Sequence, residues 1–454
     1  MPEPLRLDAA MDARTREVLT AGTADVGRLL DAWRAEGAED AEMHLALAVA
    51  SARFVSHAGP FLGHGTFNGG PVLRAAVLLP WPYRRLALLQ TAAYVVSVMR
   101  HPNYGPFLML AQHALDDPAD TDEAASSRFL EAALSSDQPL AAEHRVVGLA
   151  RRLGPAVRWP LMDLGLRQFA ENEHRVLVVW RAAQLLDDAG GWRYGEPLMR
   201  AAVQYLANRV DTAHFDACTE RRGSEAVRLG ETEGVARLVE ADWGQEPHIL
   251  AALAAENGRG AALDAAARAS AVLMQRAGWD AHAVTGVHCL LEVARDAAAP
   301  PALQAGALQF ALSGQRTRRQ KAADVRARWE APIHPTGQRV DLEAVLKAVR
   351  EDSSGQQAAQ LAADYLVEAG GEKSAAEFAS ALMQAALETA GPFEAIHNVK
   401  MLGGLYQEYR RSPHPDRWIH LAAGAGAVAR SVGDDEPGRE AVLAQWEGTA
   451  AARR

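Results

Sequence analysis

Apolar residues recur at spacings of three and four along most of this chain, as in VGRLLDAWRA, EAVLKAVRED and SALMQAALETA. Alanine, leucine and arginine dominate and β-branched runs are few, so the period is that of helices rather than strands. The spacing predicts an all-α fold: a large, irregular helical bundle or solenoid-like single domain over residues 1–454. Helices of usual length give roughly fifteen to twenty elements. Clusters of Pro, Gly and Asp mark their ends: PWPYRR (80–85), RHPNYGP (100–106), DDPADTD, LGPAVRWP, DDAGGWRYGEP, RDAAAPP, APIHPTG and RSPHPD. GPVLRAAVLL (70–79) and EPLMRAAVQYL (196–206) echo one another. Two copies fall short of the repeated period that solenoids show.

Several classes are excluded. A net charge of −10 without a basic face argues against nucleic acid. No window approaches 18 uncharged apolar residues, and no signal or transit peptide is read at MPEPLRLDAAMDARTREV, so neither a membrane nor export is expected. Cys218 and Cys289 make neither a disulfide framework nor a zinc spacing, which fits a reducing cytoplasm. GRGAAL (258–263) follows no strand and lacks the third glycine of a dinucleotide fingerprint. No phosphate loop or nucleophile elbow is present.

Chemistry therefore falls to histidine and to one lysine. Of 47 basic residues only Lys321, Lys347, Lys373 and Lys400 are lysines, and Lys400 stands in the apolar run EAIHNVKMLGG. Of 15 histidines, four local contexts stand out: FLGHGTFNGG at His64, ENEHRVLVVWRAAQLL at His174, WDAHAVTGVHCLLEV at His282 and His288, and AIHNVKML at His397. In the last three contexts the histidine is expected to open an apolar helix. His397 shares a helix face with Lys400, His282 with Thr285 and Cys289, His64 with Asn68, and His174 with Val178 and Arg181. His288 points about 120° away from His282, which leaves it a supporting or core role. Histidines on separate helices that meet in a bundle core can build a metal site.

A buried lysine amine beside a metal has its neutral form favoured and can add carbon dioxide to become an anionic carbamate, which arginine cannot. The alternative is that Lys400 snorkels out of an amphipathic helix. Trp180, Trp192, Trp243 and Trp279 either line an aromatic pocket or fill the core. Tyr406 and Tyr409 read as packing, and Glu246 with His248 as a loop-to-helix junction.

GHGTFNGGPVLRAAVLL, HAVTGVHCLLEVARD and IHNVKMLGGLYQEYRRSPHPDRWIHLAA resemble the questin oxidase-like family of helical oxygenases. The segment EHRVLVVWRAAQLLDDAGGWRYGEPLMRAAV is similar to a helical domain found fused to Rieske proteins. The matches run from about residue 60 to 430. The resemblance implies Fe(II) held by His64, His174, His282 and His397 with carboxylated Lys400 as a further ligand. It also implies an aromatic small-molecule substrate, a hydroxylated quinone or polyketide, oxidised with dioxygen. His288, Thr285 and Asn68 are then the catalytic candidates. A Baeyer–Villiger version on the same fold would need NADPH. Pro71 stands where the family often has another histidine, and only 63 residues precede His64, so the pocket wall is expected to differ. Besides this cytoplasmic enzyme, which allows a homodimer, two other readings fit the residues: a metal-dependent hydrolase or lyase, and a non-catalytic helical scaffold.

Overall fold

The computed structural model describes residues 4–55, 60–100, 107–112, 123–136, 138–170, 172–207, 213–220, 231–316 and 333–451. These residues fold into helices, with one isolated bridge between Pro4 and Leu110 and no strand among them. More than twenty α-helices occur, above the expected fifteen to twenty. The excess comes from short elements such as Pro60–Phe67, Gly69–Ala75 and Pro301–Gln309, too brief to show a period.

Most of the punctuation acts as expected. Pro80 precedes the Trp81–Met99 helix, and Gly190, at φ 59°, follows the helix that ends at Asp188. RWP in LGPAVRWP does not break a helix: Pro160 sits in the first turn of Arg158–Arg167, where its missing N–H costs nothing. DDPADTD, and RHPNYGP after Arg100, lie outside the described residues. The two echo segments also part ways. The first gives a short helix whose Arg74 pairs with Asp188 near the surface, while the second is the Gly195–Leu206 helix, whose Arg200 is buried against Glu143.

One hydrophobic cluster runs from Met11 to Val442. Four elements carry its centre: the His64 helix (Pro60–Phe67), the His174 helix (His174–Asp188), the His282 helix (His282–Arg295) and the His397 helix (Pro392–Arg411). The His174 helix is buried on every side, since thirteen of its fifteen residues are inside. It packs on the His64 and His282 helices and on Gly69–Ala75. The His397 helix is buried without a break from Ala395 to Leu405 and is walled by Trp81–Met99, Glu372–Thr389 and Trp418–Arg430. Histidines that the chain separates by more than a hundred residues are thereby pointed at one interior. None of the described helices is long and apolar enough to cross a membrane.

Candidate metal centre

His64, His174 and His282 each offer a ring nitrogen, and these atoms lie within 4.8 Å of one another. The His64 and His174 Nε2 atoms are 3.3 Å apart. Ring centroids are 5.0 Å apart for His64 and His174, and 5.1 Å for His174 and His282. His397 closes the group, its centroid 4.9 Å from His64 and 5.5 Å from His282. The four histidine rings named from the sequence thus gather in one region, and His64, His174 and His282 are the three whose ligand nitrogens all lie within 4.8 Å of one another.

Their orientation comes from the opposite ring edge. His174 and His282 are each the first residue of a helix. In each case the residue two before supplies one oxygen to both the backbone N–H and the imidazole Nδ1: Asn172 Oδ1 at 3.0 and 2.7 Å, and Asp280 Oδ1 at 3.0 and 3.3 Å. His397 instead lies in the second turn of its helix, not at its opening as expected, and its Nδ1 donates to the Phe393 carbonyl at 2.7 Å. A carbonyl or carboxylate oxygen only accepts, so each Nδ1 keeps the proton and each Nε2 presents a lone pair. The Nε2 atoms of His282 and His397 are buried and have no hydrogen-bond partner. Burial, with Lys400, His64 and His282 alongside, holds His397 well below the usual imidazole range, so it stays neutral. Bare lone pairs that converge in a dry interior suit a divalent cation that accepts imidazole nitrogen.

The Asp280 support depends on a strained turn. Gly278 and Trp279 both have left-handed backbones, at φ 75° and 69°. Tryptophan rarely adopts that conformation. Its indole N–H, bonded to the Ser354 carbonyl at 2.8 Å, holds it there. Removing the carboxyl in Asp280→Ala should weaken metal binding about 10- to 100-fold while the helical circular dichroism is unchanged; a metal titration followed by calorimetry measures it.

Lys400 is 7% exposed, which excludes the snorkelling alternative. Its Nζ donates to Asn68 Oδ1 at 3.0 Å, and burial, with Arg181 nearby, brings its pKa down to about 7. A substantial fraction is then free amine at neutral pH.

Beside this lysine a pocket opens, lined by Lys400, Asn68, Thr285, His288, Arg181 and His420 among the apolar Phe67, Pro71, Leu177, Met401 and Leu405. The three catalytic candidates His288, Thr285 and Asn68 all line it, whereas none of the four tryptophans does. Trp180 bonds Glu292, and Trp243 bonds the Ser313 carbonyl. Asn68 Nδ2, Thr285 Oγ1 and His420 Nε2 are buried without a partner. Three polar atoms left open in an apolar pocket would be satisfied by a ligand that carries polar groups on an apolar body. The cavity is about 20 Å³, room for little more than one water, so a larger ligand must part the walls.

Sequence reasoning missed several participants. The pattern Asn/Asp-x-His ahead of an apolar run was readable as a cap that also seats the imidazole. The Phe393 carbonyl, His420 and the Glu408 carboxylate against His288 left no local signal. Glu246 opens the Glu246–Asn257 helix, a junction as expected, remote from the pocket's lining. No protein-family model, curated protein or solved structure matches this chain.

Proposed function

We propose that the chain is a non-heme iron oxygenase that oxidises or cleaves the ring of a hydroxylated quinone or related aromatic polyketide. The observation that carries this reading is the close approach of His64, His174 and His282, with His397 beside them and three of the four imidazoles backed at Nδ1, next to an apolar pocket with open polar atoms. His64, His174, His282 and His397 would hold the metal. Iron(II), when bound, supplies redox chemistry toward dioxygen and Lewis acidity toward a ring oxygen.

The remaining work belongs to the chain itself. Lys400 as free amine adds carbon dioxide: its nitrogen lone pair forms the N–C bond, one proton leaves, and an anionic carbamate oxygen remains to offset the cation's charge. Asn68, through Oδ1, keeps that side chain turned toward the pocket. Asn68 Nδ2 and Thr285 Oγ1 would bond ring oxygens and so fix the ring's orientation. Phe67, Leu177, Met401 and Leu405 keep water away from the reacting face.

The test starts with elemental analysis of untagged protein purified without added metal, wild type against His397→Ala. Near-stoichiometric iron that disappears in the variant is the expected result, followed by hydroxyquinone-dependent oxygen uptake that needs no NADPH. Dependence on NADPH would transfer the reading to a Baeyer–Villiger oxidation, and turnover without oxygen uptake to a hydrolase or lyase. No metal in the wild type, even after anaerobic reconstitution with iron, would overturn the metal centre and leave a helical scaffold.

A further inference from the structure

Besides Lys400, the pocket has a second charged end, at His288 and Glu408. The His288 Nδ1 donates to Glu408 Oε1 at 2.8 Å, and Arg295 clamps both Glu408 oxygens at 2.7 and 2.8 Å. A carboxylate can only accept, so Nδ1 holds a proton, and in the neutral imidazole the lone pair lies on Nε2. That atom is 3.7 Å from Glu292 Oε1, beyond hydrogen-bond reach, and Glu292 is itself held by Arg181, Gln184 and Trp180. The other charged or titratable groups around the imidazole are Arg411, which also pairs with Glu408, Lys400 farther along the same helix, and His420. Asp264 and Arg268 pair with one another behind His420. Burial alone would raise both carboxyls, but Arg181, with the Trp180 and Gln184 hydrogen bonds, holds Glu292 below the usual carboxylate range, and the His288 N–H and Arg295 do the same for Glu408. Both therefore remain anions on either side of the ring.

The seat is built into the helix. A Cβ on Gly404 would come within 2.9 Å of His288 Cδ2 and 3.1 Å of Cγ, so only glycine lets the imidazole lie against the backbone. Gly404 is one turn, about 6 Å of rise, beyond Lys400. His288 thus stands at a different point of the pocket wall from Lys400.

We infer that His288 is a general base for a ring hydroxyl of the ligand, with Glu408 as its positioning residue. The ring O–H bond breaks, the Nε2–H bond forms, and the electron pair stays on the ring oxygen. The new imidazolium then lies between the Glu408 and Glu292 carboxylates, which offset its charge. This inference rests on the hydroxylated-ring ligand of the proposed function but not on its iron.

The test uses chelator-treated, metal-free full-length protein and alizarin, a hydroxyanthraquinone dye whose visible spectrum changes when its hydroxyl ionises. Bound to wild type, the dye should ionise about one pH unit or more below the free dye, a tenfold or greater change in the ionisation constant. His288→Gln should abolish that displacement, and Glu408→Gln should remove most of it. Gly404→Ala, which keeps the imidazole but crowds it off its seat, should act like Glu408→Gln, with helical circular dichroism confirming the fold. An undiminished displacement in His288→Gln, or none in wild type, overturns the inference. Because no metal is present, that failure is separate from a failure to find iron.

Discussion

Lys400→Arg is expected to purify as a helical protein that holds no iron and consumes no oxygen with hydroxyquinones. The guanidinium stays charged at any working pH and adds no carbon dioxide, so a fixed cation replaces the proposed anionic ligand. Because a buried cation beside the site would repel metal on its own, Lys400→Met is the sharper variant: it is neutral, of similar length and suited to an apolar surround. If the carbamate is a ligand, the methionine variant also loses iron, and isotopically labelled bicarbonate gives a carbonyl resonance in wild type that is missing from it. Iron retained at wild-type level in Lys400→Met would remove Lys400 from the ligand set while leaving the four histidines. The local structure favours the first outcome. The side chain is inside, its Nζ donates to the neutral Asn68 amide, and its pKa near 7 comes chiefly from burial.

The helical class was legible because spacing of three and four marks the amphipathic elements such as Val26–Ala35 and Leu342–Glu351, although long helices such as Trp81–Met99 are apolar on most faces. The four histidines were legible too, three from apolar runs and His64 from its glycine-rich context. Their meeting was implied by the resemblance and by no local pattern. It depends on how the four helices cross, and His64 is 110 residues from His174 along the chain. Helical face arithmetic separated His282 from His288 correctly: one turns to the cluster and the other to Glu408. It could not supply the partner, because the His288 to Glu408 contact spans 120 residues. The opening of the His397 helix was misplaced for a physical reason: Pro392 starts the helix after Gly391, one turn earlier than the histidine context suggested. That extra turn is what puts the Phe393 carbonyl under His397 Nδ1.

Gly286→Val should lose the metal although it touches no ligand. Gly286 lies one turn into the His282 helix, and a Cβ there would stand 2.9 Å from Glu173 Cβ and 3.4 Å from Phe169 Cε2. Glu173 immediately precedes His174, so this contact is where the openings of the two histidine helices press together. Glu173 Cβ is attached directly to backbone and cannot swing aside as the end of a long side chain could. A branched side chain must therefore push the His174 and His282 openings apart, widening a site whose ligand atoms now lie within 4.8 Å. Overpacking of this kind costs about 1–3 kcal/mol, and valine adds its own penalty to a helix interior. That lowers the melting temperature without unfolding a core that extends from Met11 to Val442. The expected signature is a folded protein, somewhat less stable in thermal melts, with iron at background level. Gly286→Ala, which adds one methyl, should fall between the two. Full iron occupancy in the valine variant would mean that the histidines close on the metal whatever the crossing of their helices, and the site would then not depend on this contact.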